Sequence, residues 1–335
     1  MFKPEEVIFA LTDACNLTCA HCTVSRNNEV LDIDLAKRFL DECKEFEIER
    51  VGFSGGEPFL LPDQLAELVQ HVREIDLFFD RIMTNGVWFR TENELKAIVS
   101  KIYDAGFDGT ICISFDKYHR QSISELAVFI ETVHSIAENK ESIELACVYE
   151  EDPCENRMLL EDLAQSINGI LECDAIPFRI VDTLRLNQEA QSIIDGLGLY
   201  IPITHIKRSH SADTLAWNDT EWFSDDFCTG PGNVLYVHAN GTIAACCGFA
   251  NEQDPLIIGT LKDSVSHVLD NSRKNTYLAW CYEHGLGALR IALEKKGYTF
   301  AGKTRDICGF CDFVCKNKLE KLVGPPGFEP GTNGL

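Results

Sequence analysis

Apolar residues along the first 181 positions fall into short dense runs separated by longer, spaced sets. Val7-Ile8-Phe9-Ala10-Leu11 is a continuous apolar run of strand length. Comparable runs predict strands at 7–12, 49–54, 79–83, 109–114, 143–149 and 176–181. Between them apolar residues recur three and four apart, which predicts helices at 33–46, 63–73, 92–105, 123–138 and 157–167. Six strand–helix units in this rhythm imply an α/β fold with a parallel sheet and right-handed crossovers. Residues 182–227 show no regular period. After them, apolar runs at 234–238 and 242–245 flank Ala239-Asn240-Gly241, a hairpin signal. Helical spacing returns around 264–296 and is followed by an expected loop at 308–315. Residues 324–335 are too rich in Gly and Pro to pack and are expected to form a disordered tail. The expected division is a barrel-like domain at 1–200, a smaller domain at 201–323, and the tail.

With 335 residues, 45% of them apolar, the chain has enough material for a large core. Asp and Glu outnumber Lys and Arg 53 to 30, a net charge of −23. That balance argues against a nucleic-acid substrate, whose phosphates need basic partners, and suits a neutral or basic peptide. The first residues carry no signal-peptide pattern and no apolar run reaches membrane-spanning length, so a cytoplasmic protein without membrane contact is expected. Fifteen cysteines in such a chain point to metal binding in place of disulfides. Six of them (Cys43, Cys112, Cys147, Cys154, Cys173 and Cys281) stand apart and read as core filler. The other nine form two clusters, one near the N-terminus and one from Cys228 onward.

The first cluster is Cys15-Asn-Leu-Thr-Cys19-Ala-His-Cys22, C-x3-C-x2-C, directly after the first predicted strand. Three thiolates hold a [4Fe–4S] cube with one iron left open, whereas an electron carrier uses four. The alternative is zinc, which favours C-x2-C knuckles and a fourth ligand. Gly55-Gly56-Glu57-Pro58 follows the second predicted strand. Its two glycines let backbone approach a ligand, and Glu57 can pair with an ammonium group. Taken together, these two motifs resemble the radical S-adenosylmethionine (SAM) enzymes. The resemblance implies a partial (β/α)6 TIM-like barrel. It also implies SAM as co-substrate on the open iron of the cluster at Cys15, Cys19 and Cys22, with Gly55, Gly56, Glu57 and Pro58 holding its amino-acid end. Ser114 and Asp116, at the end of the fourth predicted strand, lie where SAM could be reached, although Asp116 equally suits a turn cap. Tyr118 and His119 are candidates for the substrate channel, and His21 for packing against SAM.

The second cluster has the form C-x12-G-x4-C from Cys228 through Gly241 to Cys246, followed by Cys308-Gly-Phe-Cys311. It is similar to the opening of the SPASM and twitch extensions. That similarity implies a small C-terminal domain holding a second, auxiliary [4Fe–4S] cluster on Cys228, Cys246, Cys308 and Cys311, with Cys315 as a possible replacement ligand. Zinc is again the alternative. Cys247 follows Cys246 at the end of a predicted strand, where neighbouring side chains point to opposite faces, so it should face away from that cluster. The Cys246-Cys247 pair, Cys228-Thr-Gly-Pro-Gly, Tyr236-Val-His238 and Ile113-Ser-Phe-Asp-Lys-Tyr-His119 look like the radical SAM epimerases of epipeptides. Phe59, after the GGEP motif, and the additional Cys315 depart from that pattern.

The epimerase resemblance implies abstraction of a Cα hydrogen from an L-residue of a ribosomally made peptide by a 5′-deoxyadenosyl radical. It further implies return of hydrogen from the Cys247 thiol to the opposite face. The expected partners are a precursor peptide and an external one-electron reductant of flavodoxin or ferredoxin type. A peptide cross-linking maturase is the rival within enzymes, and a non-enzymatic iron–sulfur or zinc protein the rival outside them.

Overall fold

The computed structural model describes residues 2–137, 142–170, 179–182, 200–210, 217–224 and 233–325. Cys173, Cys228 and most of the expected tail lie outside the described residues. Contacts divide the chain into two compact units, one made of Phe9–Asp41 and Glu49–Arg208, the other of Met1–Ile8, Glu42–Ile48 and Ser209–Leu335.

The first unit alternates strands and helices: β1 (Glu6–Ala10, whose first residues fall in the other unit), α1 (Ile33–Glu45, whose last turn does likewise), β2 (Arg50–Ser54), α2 (Pro62–Glu74), β3 (Phe78–Thr84), α3 (Glu92–Asp104), β4 (Thr110–Ser114), α4 (Ile123–Ile136), β5 (Ile143–Tyr149), α5 (Arg157–Ile170), β6 (Arg179–Asp182) and β7 (Tyr200–Lys207). The sheet runs β1-β2-β3-β4-β5-β7-β6, parallel from β2 onward. This is the α/β, partial TIM-like architecture expected of the sequence. Strand residues Phe9, Val51, Phe53, Ile82, Ile111, Ile113 and Leu145 are buried. Against the sheet, α2 buries Leu65, Leu68, Val69 and Val72, a stripe spaced three and four apart that contributes about 1.5–3 kcal/mol per side chain. Thr91 and Ser122 cap α3 and α4 by accepting from the amides of Glu94 and Glu125.

One expectation about the sheet is corrected. Residues 182–227 hold a strand, β7, and it inserts between β5 and β6, pairing Leu145 with Ile203 and Val181 with Pro202. Ile201 and Ile203 supply its buried side. Pro202 and His205 interrupt the apolar run, which hides the strand from a reading based on continuous hydrophobicity.

In the second unit β8 (Val234–Val237) and β9 (Thr242–Ala244) form the expected antiparallel hairpin, with Gly241 at φ 82° in the turn. β10 (Ile257–Thr260) extends it beside β9. Then follow α6 (Val265–Lys274), a single π-helical turn at Trp280–His284, α7 (Leu286–Lys295) and α8 (Ile307–Lys316). The expected loop at 308–315 is therefore a helix. Asp306 starts it by accepting from the Gly309 amide at 2.9 Å, and Phe310, Cys311, Val314 and Cys315 form its buried face.

Candidate active site

The loops that follow β1, β2, β3 and β4 meet at the C-terminal edge of the sheet, where parallel α/β folds place their chemistry. They line one cavity, walled by Cys15, Cys19, His21, Cys22, Arg26, Gly55, Gly56, Asn85, Ser114 and His119 among others. The cysteine loop is laced by polar contacts. The Thr12 hydroxyl donates to the Glu29 carbonyl at 2.8 Å, and the Cys22 amide to the Cys19 carbonyl at 3.2 Å. Arg26 donates to the carbonyls of Cys15 and Leu17 and to the Cys22 sulfur at 3.7 Å. The Cys15 sulfur receives the Leu17 amide at 3.4 Å and the Asn85 side-chain amide at 3.7 Å. Donors aimed at sulfur favour thiolate ligands and tune the metal they bind. Burial pushes the Cys15 thiol up, against the pull of the Leu17 amide. Among the described residues the trio of metal-ligating atoms within 4.8 Å of one another is not three sulfurs but His21, Asp116 and His119.

Gly55 and Gly56 fit their expected place. The Gly56 amide donates to Thr12 O at 2.6 Å and the Glu57 amide to Ala14 O at 2.9 Å, zipping this loop onto the segment that leads into Cys15. Gly55 has φ 129°, and a Cβ there would meet Thr12 O at 2.3 Å. Pro58 begins a short helical turn, Pro58–Leu60, and is buried; Phe59 behind it stacks on Trp88 with centroids 4.9 Å apart.

Glu57 caps the turn that follows the two glycines. Its side chain is fully buried, turned away from the cavity, and accepts from the Phe59 amide, the Thr84 hydroxyl and the Asn85 amide at 3.2, 2.9 and 2.8 Å. It braces the β2 loop to the β3 loop and so holds Asn85 against Cys15. Burial pushes its carboxyl up to about 7 in spite of those three donors. The folded chain therefore keeps a proton that the unfolded chain releases near its ordinary value of 4.5, and stability falls as pH rises through that window, by about 3 kcal/mol. Chemical denaturation at about pH 5 and about pH 7.5 should show wild type losing stability relative to Glu57→Gln over that interval.

Ser114 lies on the cavity wall at the end of β4. Asp116 is set behind it. Its Oδ1 accepts from the amides of Tyr118 (2.8 Å) and His119 (3.2 Å) and from His119 Nδ1 (2.9 Å), while Oδ2 accepts from the Val148 amide at 3.1 Å. These bonds give it the turn-capping role and leave His119 as the side chain that reaches the cavity. Burial opposes charge on both partners, but their contact outweighs it. His119 is raised to about 9 by Asp116 and by the Cys19 sulfur, and Asp116 is held below its ordinary value by His119. His21 packs edge-on against Tyr118 and His119, with centroids 5.2 and 4.8 Å away. Sequence reasoning missed Asn85 and Arg26 as partners of the cysteines, because neither has a spacing that marks it.

In the second unit Cys246 is buried and its sulfur receives the Gly248 amide at 3.1 Å, while Cys247 is partly exposed. β9 ends at Ala244 and the chain bends at Ala245, so strand alternation does not reach the pair. Cys308 is half-buried and Cys311 and Cys315 are buried on α8. Cys281, expected to stand alone, instead lies against the Cys311 sulfur.

Residues 9–159 match the model of the radical SAM superfamily. The chain is similar to the S-adenosylmethionine-dependent nucleotide dehydratase RSAD2 of Oncorhynchus mykiss, 34% identical over 129 residues, which are 36% of this chain and 34% of that protein. The chain spans well under half the length of the curated relatives it matches. Two solved structures share the fold over most of the chain. Native anSMEcpe with bound AdoMet and Kp18Cys peptide has a TM-score of 0.53 at 12% identity, covering 96% of this chain and 99% of that one. Streptococcus suis SuiB bound to precursor peptide SuiA has a TM-score of 0.50 at 16% identity, covering 92% and 76%. Among the described residues no helix is long and apolar enough to cross a membrane.

Proposed function

We propose that this chain is a radical SAM enzyme that converts an L-residue of a ribosomally made peptide into its D-epimer. One observation carries the reading: a single cavity gathers Cys15, Cys19 and Cys22, the Gly55-Gly56 backbone, Ser114 and His119. Those residues fit a [4Fe–4S] cube with SAM on its open iron, which when bound supplies a 5′-deoxyadenosyl radical. The chain's own part is positional. Arg26 and Asn85 direct donors at the ligand sulfurs, Glu57 fixes the loop that carries Asn85, and the glycines keep the cavity floor open. A peptide substrate is supported by the two fold neighbours that hold bound peptides, and by a charge of −23 that suits a neutral or basic peptide.

In this reading the second unit is a twitch- or SPASM-like domain whose auxiliary [4Fe–4S] cluster is held by Cys246, Cys308, Cys311 and Cys228. Cys247 is the hydrogen donor. Its thiol is partly exposed beside a buried neighbour, as a group that must meet a substrate requires. Its S–H hydrogen passes to the planar Cα radical, and the thiyl left behind regains one electron, from an external flavodoxin- or ferredoxin-like reductant, and one proton from solvent.

The test is anaerobic incubation in D2O with SAM, dithionite and a short, neutral or basic candidate precursor peptide. Epimerisation adds roughly one mass unit per inverted residue and yields a D-residue on chiral analysis. Cross-linking removes a pair of hydrogens. A binding protein releases no 5′-deoxyadenosine. The similarity to a nucleotide dehydratase favours one second reading, a nucleoside triphosphate substrate, although it is confined to about a third of the chain. Release of 5′-deoxyadenosine driven by nucleoside triphosphates and not by peptide would select it.

A further inference from the structure

Two walls of the cavity are joined by one side chain that the sequence does not mark. β3 and β4 pair in parallel register as far as Thr84 beside Ile113, and Asn85 and Ser114 are the next residue along each strand. Both line the cavity. Where the ladder stops, Gln121, two residues ahead of α4, bridges the strand ends. Its Nε2 donates to the Asn85 carbonyl and to the Ser114 carbonyl, each at 2.6 Å. An amide nitrogen carries two hydrogens, so each carbonyl takes one. The amide oxygen could not stand in that place, because it would face two acceptors. Oε1 is buried without a hydrogen-bond partner among the described residues. A dry, unpaired acceptor is unfavourable, so packing alone does not account for an amide here; the two bonds from Nε2 do.

Asn85 carries this hold onward to the cysteine loop. Its side-chain nitrogen donates to the Cys15 sulfur at 3.7 Å and to Asn16 Oδ1 at 2.8 Å, and Asn16 in turn donates to the Val87 carbonyl at 3.0 Å. Its Oδ1 receives the Val87 amide at 2.9 Å. Gly86, at φ 68°, turns the chain directly after Asn85, so the carbonyl held by Gln121 sits at a bend and not inside a ladder. The network therefore runs from the Cys15 sulfur through Asn85 and Gln121 to the main chain of Ser114 on the next strand.

We infer that Gln121 is a positioning residue for SAM: by bridging the Asn85 and Ser114 carbonyls it fixes the spacing of two cavity walls and, through Asn85, their alignment with Cys15. The inference rests on the reading that this cavity takes the cluster with SAM on its open iron.

The experiment compares wild type, Gln121→Leu and Gln121→Glu in the full chain, reconstituted anaerobically and held at pH 8. Leucine keeps most of the bulk and has no donor. Glutamate keeps the shape and sets an oxygen against the two carbonyls. Without SAM, amide hydrogen exchange over residues 84–88 should quicken about tenfold in both variants while α2 stays as in wild type. Iron per chain should be unchanged. The SAM concentration that half-converts the electron paramagnetic resonance signal of the reduced cluster should rise about tenfold, and the KM for SAM with it. A residue that only supports the fold lowers the active fraction, and so kcat, and leaves that midpoint and KM alone. A midpoint within about twofold of wild type in either variant overturns the inference, as do unchanged exchange over 84–88 and loss of iron or of α2 protection. Wild type whose reduced signal does not respond to SAM overturns the underlying reading, whatever the variants do.

Discussion

Gly56→Ala is expected to reduce 5′-deoxyadenosine formation by more than about 100-fold, measured anaerobically with SAM and dithionite. A Cβ at this position would lie 2.1 Å from Ala14 O, 2.5 Å from Ala14 C and 2.7 Å from Asp13 O. All three are backbone atoms, so no side chain can rotate aside. The same stretch is held by bonds from the Gly56 amide to Thr12 O and from the Glu57 amide to Ala14 O, which must break before the two loops separate. Separation moves the segment entering Cys15 by an ångström or more and opens the cavity floor. Reconstitution should still deliver iron to the second unit, so iron content near half the wild-type value together with lost SAM cleavage marks a local effect. Full SAM cleavage in this variant would show that the β2 loop does not shape the cofactor site.

Cys247→Ala should leave 5′-deoxyadenosine formation within a few-fold of wild type and lower the yield of D-residue by more than roughly 100-fold. The two measurements separate because the proposed epimerisation assigns hydrogen abstraction and hydrogen return to different groups. Without a thiol the Cα radical has no donor on its second face, and it is quenched by solvent or reductant without control of configuration. Serine should fail as alanine does, since an O–H bond is too strong to give its hydrogen to a carbon radical. That result excludes a purely spatial role for the side chain. Undiminished epimer yield in either variant removes Cys247 from the mechanism.

Much of the cavity was legible before folding. The cysteine triplet and the GGEP motif depend on local spacing at the ends of strands, and strand ends are marked by where an apolar run stops. Six strand positions and five helices follow from runs and periods that the core enforces, because a buried strand must be apolar throughout and a packed helix along one stripe. The unread parts each involve a local signal overruled or hidden. Strand β7 carries a proline and a histidine, and the helix at Ile307–Lys316 looked like a metal loop because cysteine spacing spoke louder than the Asp306 cap. The sequence leaves Asp116 open between ligand and turn cap and gives no direction for the Glu57 side chain, since a carboxylate in a glycine-rich or strand-end loop has no sequence mark for the way it points.

By itself the sequence determined that three thiolates and a flexible backbone loop would sit at adjacent strand ends of a parallel α/β sheet. Periodicity and spacing are properties of neighbours along the chain. Only the tertiary structure decided that Glu57 turns inward to Thr84 and Asn85, that Asp116 holds His119 toward Cys19, and that Tyr277 and Cys281 meet Cys311. Most of those contacts join residues on separate elements, and a hydrogen bond is chosen by which donors packing brings within about 3 Å of an acceptor.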